Sequence, residues 1–161
     1  MVYSIALNYL HNKEDAEEVT QDVFIKVHQK LKSFRADSTT KTWIYRITVN
    51  QSLDYLKAKK SKKGSVLSKS EDLSKITKAN FEHPGLLLEK KEQASLLFEC
   101  IDTLADQQKT AFLLSKMDGL KQEEIAKIMD KSISGIESLI FRAKQNLRKI
   151  IASKWDKEQG F

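Results

Sequence analysis

The sequence predicts an all-α fold of two small helical domains joined by a flexible polar linker, the C-terminal one a helix-turn-helix. Three observations lead there. Apolar residues recur at spacings of three and four on both sides of the chain's middle, as in Val19, Val23, Phe24, Val27 and Leu31. Between the two periodic regions, KKSKKGSVLSKSEDLSKITKANFEHPG is rich in lysine and serine, thin in apolar residues and closed by the only proline, Pro84. A structureless stretch of that length is rare inside one compact domain, so two bodies on a tether are the simpler organisation. The third observation is a short helix, a break and a long helix near the C-terminus. The resulting division is 1–60, a linker over 61–87, and 88–161.

In the first helical segment, NKEDAEEVTQDVFIKVHQKLKSF sets an acidic face of Glu14, Asp15, Glu17, Glu18, Gln21 and Asp22 beside its apolar stripe. Nucleic acid would be repelled there. The face therefore suggests a protein partner, although acids in the first helical turns also favour the helix dipole without one. The helical pattern runs back to Met1, so the chain reads as starting within a helix.

In SFRADSTTKTWIYRITVN, one helix ends near Phe34, a polar loop follows, and a long helix begins near Thr40 or Lys41. Ile44, Ile47 and Leu56 are expected to face the core. Trp43, Arg46, Asn50, Asp54 and Lys57 form a separate stripe that combines an indole, an amide and two cations. Unpaired bases need that mixture: a flat group to stack on, an amide to read an edge, and lysines to hold the backbone. Lys57, Lys59, Lys60, Lys62 and Lys63 supply the lysines. Taken singly, Trp43 reads better as a wedge between helices and Asp54 as a partner of Arg46 or Lys57.

The C-terminal segment is DGLKQEEIAKIMDKSISGIESLIFRAKQNLRKI. Gly119 ends one helix, and Glu124, Ile125, Ala126, Ile128 and Met129 belong to a short helix with a buried stripe. A break falls at Asp130 and Lys131. Ser132 then caps a new helix whose inner face is Ile136, Leu139, Ile140 and Ala143. In a helix-turn-helix the start of the second helix enters the DNA major groove. The residues exposed there would be Ser134, Gly135, Glu137 and Ser138, with Arg142, Lys144, Arg148 and Lys149 meeting phosphates. An ordinary helical hairpin with a basic solvated end would show a similar pattern.

Composition sets limits on the rest. A net charge of +6 and a pI near 9.3 suit a polyanionic partner. The sole cysteine, Cys100, sits in the apolar run SLLFECI and reads as a reduced core thiol, which fits a cytoplasmic protein. No apolar run approaches a membrane span, and the N-terminus lacks the basic start of a secretory signal. Asn50-Gln51-Ser52 matches a glycosylation acceptor only by chance. Neither a catalytic constellation nor a cofactor motif is evident. Glu14, Glu18 and Asp22 with His11 or His28 would make a poor metal site, since His28 lies off the line of the acids.

Three blocks together, DAEEVTQDVFIKVHQKLKSF, TWIYRITVNQSLDYLK and GLKQEEIAKIMDKSISGIESLIFRAKQNL, in that order across a polar linker, resemble bacterial RNA polymerase sigma factors of the extracytoplasmic-function group. The resemblance spans nearly all of the chain outside the linker. It implies that Asp15, Glu18, Gln21 and Asp22 bind core RNA polymerase. It further implies that Ser38, Thr39, Trp43, Arg46, Asn50 and Lys57 melt and hold the minus-ten element of promoter DNA, with one base flipped out of its stack. Ser134, Glu137, Ser138, Arg142 and Lys144 would read the minus-thirty-five element as duplex. The linker would thread towards the RNA exit path, and an anti-sigma factor would clamp both domains. The chain departs from the family where Ala105 replaces a common proline, where Lys121 replaces a small hydroxyl residue, and where Gly135, Glu137 and Leu139 replace threonine, lysine and arginine. Members usually have a longer first helix, so either a truncated chain or a misassigned start would account for the difference. A stand-alone helix-turn-helix regulator is the rival reading. It requires a dimer, whereas a sigma factor is a monomer when free.

Overall fold

The computed structural model describes residues 1–34, 38–67 and 88–159, without the side chains of 33, 62–67, 88–93 and 154–159. The helices are α1 (Val2–Leu10), α2 (Lys13–Lys30), α3 (Thr40–Leu67), α4 (Leu88–Asp102), α5 (Asp106–Lys116), α6 (Gln122–Met129) and α7 (Ile133–Gln159), with a 3-10 turn at Leu31–Ser33. No strand occurs among the described residues. The chain divides into two compact units, Met1–Leu86 and Leu87–Phe161. Residues 61–67 of the expected linker continue α3, and residues 68–87 lie outside the described residues.

In the first unit, a tight reversal sets α1 against α2. His11 ends α1 in the left-handed region at φ 56°, and the Asn12 side chain caps α2 by accepting from the Asp15 N–H at 2.9 Å. The core gathers Ile5, Ala6 and Tyr9 from α1, Ala16, Val19 and Val23 from α2, and Tyr45, Thr48, Val49 and Ser52 from α3.

The inner face of α3 differs from the sequence expectation. Ile44, Ile47 and Leu56 are only half-buried, while Thr42, Tyr45, Thr48, Val49 and Ser52 are buried. Hydroxyl groups make this possible. Thr48 Oγ1 donates to the Ile44 carbonyl at 2.8 Å and Ser52 Oγ to the Thr48 carbonyl at 2.9 Å, so each buried hydroxyl is satisfied by its own helix. Small side chains on that face then admit close packing by α1 and α2.

In the second unit, Phe98, Ile101 and Leu104 join Leu113, Leu114, Ile125, Ile136, Ile140 and Leu147 in one core. Cys100 is a free thiol within it, with no exposed surface. Gly119 reverses the chain after α5 at φ +65°, and the Leu120 N–H reaches back to the Leu114 carbonyl at 3.0 Å. Lys121 offers no side-chain acceptor at the start of α6; instead the Glu124 carboxylate accepts from the Lys121 N–H at 3.1 Å. Asp130 then turns left-handed at φ 53° and ends α6.

Candidate nucleic-acid interface

The turn between α6 and α7 is built as the sequence anticipates. Ser132 Oγ accepts from the Gly135 N–H at 3.1 Å, the N-cap that starts α7. Ala126, Ile128, Ile136, Ile140 and Ala143 are buried between the helices, while Leu139 is half-buried. Ser134, Glu137, Ser138, Arg142 and Lys144 are all exposed, as are Arg148 and Lys149 further along. Gly135 is half-buried, and a Cβ there would lie 3.1 Å from the capping Ser132 Oγ. This glycine therefore leaves room for the cap. The sequence reading missed Phe141, an aromatic ring 61% exposed on the same helix. Its place between Ser138 and Arg142 on the outward face was the available signal.

On α3, the stripe stays clear of the core. Trp43 and Arg46 are half-buried and Asn50, Asp54 and Lys57 are exposed. The Trp43 indole leans on Phe34, ring centroids 4.9 Å apart and planes tilted by 41°. In the preceding loop, Ser38 is half-buried and Thr39 exposed. Thr39 Oγ1 accepts from the Thr42 N–H at 3.1 Å and so caps α3. Arg35, Ala36 and Asp37 lie outside the described residues, as do the side chains of Lys62 and Lys63.

The acidic face of α2 is partly engaged within the unit. Tyr55 Oη donates to Asp15 at 2.7 Å and approaches Glu18 at 3.1 Å, and Lys59 pairs with Asp15. About one turn earlier on α3, Gln51 Nε2 donates to Asp22 Oδ2 at 2.9 Å, and Lys26 donates to Gln51 Oε1. Burial, then the adjacent Asp15 and Glu18 carboxylates, push the Tyr55 hydroxyl well above its usual value. Asp15, Glu18 and Asp22 thus hold α3, and Glu14, Glu17, Glu18 and Gln21 are the exposed members of the face, Glu18 belonging to both sets. The sequence reading missed Gln51 and Tyr55, and it counted Lys59 among the lysines for nucleic acid, whereas the structure pairs that side chain with Asp15. The spacing of four residues between these three along α3 answers the acids of α2 in antiparallel order.

Among the described residues, no three His, Cys, Asp or Glu side chains cluster as a metal site. No helix among them is long and apolar enough to cross a membrane.

A two-unit helical protein with a helix-turn-helix whose second helix exposes Arg142, Lys144, Arg148 and Lys149, and with half-buried Trp43 and Arg46 beside exposed Asn50 and Lys57 on α3, has the surfaces of the nucleic-acid-binding class. Comparison with known proteins narrows this. Residues 1–62 match the family described as sigma-70 region 2, and residues 95–147 that described as sigma-70, region 4. The chain is 37% identical over 140 residues to the ECF RNA polymerase sigma-E factor of Escherichia coli strain K12, covering 81% of this chain and 71% of that protein. It is 27% identical over 154 residues to the RNA polymerase sigma-H factor of Pseudomonas aeruginosa, covering 93% and 80%. Two solved structures share the fold. They are a Bartonella quintana sigma factor in complex with the anti-sigma factor NepR (TM-score 0.64, 20% identity, 94% and 89% covered) and CnrH in complex with the cytosolic domain of CnrY (TM-score 0.65, 18% identity, 94% and 80% covered). The chain belongs to the sigma-70 family, in its extracytoplasmic-function (ECF) group.

Proposed function

We propose that this chain binds core RNA polymerase and directs it to promoters, using residues 1–60 to engage polymerase and the minus-ten element and residues 88–161 to engage the minus-thirty-five element. The observation that carries it is the ordered pair of region 2 and region 4 matches, which fall in the two separate units. Asp15, Glu18, Gln21 and Asp22 line the polymerase-binding face. Glu18 and Gln21 project from it, and Asp15, Glu18 and Asp22 also brace α3. Ser38, Thr39, Trp43, Arg46, Asn50 and Lys57 open the minus-ten element, with Thr39 holding the start of α3 where the loop meets it. Ser134, Glu137, Ser138, Arg142 and Lys144 face the minus-thirty-five duplex. The protein supplies recognition rather than covalent chemistry and works in the cytoplasm. It is a monomer when free and is restrained by an anti-sigma factor that holds both domains.

Gel filtration of the chain with sigma-free core polymerase, followed by transcription from a promoter library, tests this reading. Co-elution and promoter-dependent transcripts are expected. A homodimer that binds a symmetric site without polymerase would replace the proposal with a stand-alone regulator. Glu18→Lys with Gln21→Lys should abolish co-elution, whereas Tyr55→Phe, which removes the bond to Glu18 but leaves the acidic face, should still co-elute.

A further inference from the structure

The basic run of α7 explains attraction to a polyanion but not which sequence is preferred. Its first turns present a different surface. Ile136, Ile140 and Ala143 take the inner side of the helix, leaving Ser134, Glu137, Ser138 and Phe141 outward. Phe141 is the most exposed of the large hydrophobic side chains among the described residues. Glu137 precedes it by one helical turn, and Ser138 lies beside both.

The hydrogen-bonding capacity of these groups is one-sided. Ser138 Oγ already donates to the Ser134 carbonyl at 2.9 Å, so its oxygen is left as an acceptor. The Glu137 carboxylate can only accept. Phosphates repel it, so a productive Glu137 points at base edges while Arg142, Lys144, Arg148 and Lys149 provide the attraction. In the major groove, cytosine presents an N4 amine donor, adenine sets its N6 amine donor beside an N7 acceptor that disfavours a carboxylate, guanine presents acceptors, and thymine alone carries a methyl group. One helical turn of about 5.4 Å covers one to two base steps of about 3.4 Å.

We propose that Glu137 selects a cytosine through its N4 amine and that Phe141 packs on the methyl group of a thymine within two base pairs of it. This rests on the reading of α7 as the helix that enters the minus-thirty-five duplex, and it specifies what that duplex contains. Glu137 and Phe141 then set the promoter preference of this chain, and Arg142 with the lysines sets its affinity.

The test uses the full chain assembled with core polymerase and a promoter library randomised over the minus-thirty-five element. The wild type should enrich cytosine at one position with thymine close by. Glu137→Gln should lose that cytosine preference by about 5- to 100-fold and move towards adenine, which an amide reads. Replacing the thymine by deoxyuridine removes only the methyl group. It should weaken wild-type binding by about four-fold and leave Phe141→Ala unchanged. If an element is enriched but neither variant alters its profile, the assignment of Glu137 and Phe141 is wrong and the sigma-factor reading stands. An absence of any enrichment removes the docking of α7, and this inference with it.

Discussion

Tyr55 is the side chain on which the α2–α3 seam turns. A single phenolic proton is held between Asp15 and Glu18, while Lys59 balances the charge on Asp15. Tyr55→Phe should therefore destabilise the first unit by about 1 kcal/mol, read as a lower urea midpoint of helical signal. The pH dependence has a definite sign. The folded-state value lies above the unfolded 10.0, so above pH 10 the unfolded chain loses the proton first. Stability present below pH 10 is then lost as pH rises towards the folded value. Between pH 10 and 11 the wild type should lose stability more steeply than Tyr55→Phe, measured by urea titration at each pH. Asn50 is the opposite kind of residue, exposed on α3 and outside the core. Asn50→Ala should leave the thermal transition within about 0.5 kcal/mol of wild type. Permanganate footprinting of the polymerase complex should nevertheless show reduced opening of the minus-ten region.

At the level of elements, the helix-turn-helix is held by its ends as much as by its core. Lys121 starts α6 with only the return bond from Glu124, so Lys121→Ser should complete a capping box and stabilise by about 0.5–1 kcal/mol, seen as a raised melting temperature. Gly135→Ala sets two effects against each other. Alanine favours the helix by up to about 1 kcal/mol, but its Cβ would crowd the capping oxygen at 3.1 Å. The substitution should be nearly neutral alone and stabilising in a Ser132→Ala background, a non-additivity that a double-mutant cycle measures.

These elements also show what the sequence could and could not disclose. The turn was legible because Gly119, Asp130 and Ser132 mark chain reversals and a cap through local chemistry. The inward face of α3 was not, because Thr48 and Ser52 bury hydroxyls that periodicity counts as polar. Neither was the seam to α2, whose partners are 25 to 44 residues apart. The acids of α2 are legible as a run, yet which of them brace α3 depends on those distant partners.

For the whole molecule, two small units on one chain imply recognition by combination. Each unit offers a modest surface, and polymerase gains specificity by holding both against one promoter, where the second contact occurs at high effective concentration. The free chain should bind promoter duplex with a Kd of roughly 10⁻⁴–10⁻⁶ M at physiological salt, with little sequence preference. The polymerase complex should discriminate sharply, as fluorescence anisotropy with matched and scrambled promoters would show. Both affinities should fall linearly on a log–log plot against salt concentration.

The burial of Cys100 bears on how that combination can be watched. The chain has only this cysteine, and no part of it reaches the surface. These 161 residues are consequently a quiet background for thiol chemistry. Cysteines introduced at Gln29 and Gln145, both exposed and both outside the proposed polymerase and promoter contacts, would be the accessible attachment points for a pair of spin labels or dyes. The separation between the two units could then be followed as polymerase, promoter or an inhibitor binds, without first removing any residue from the core.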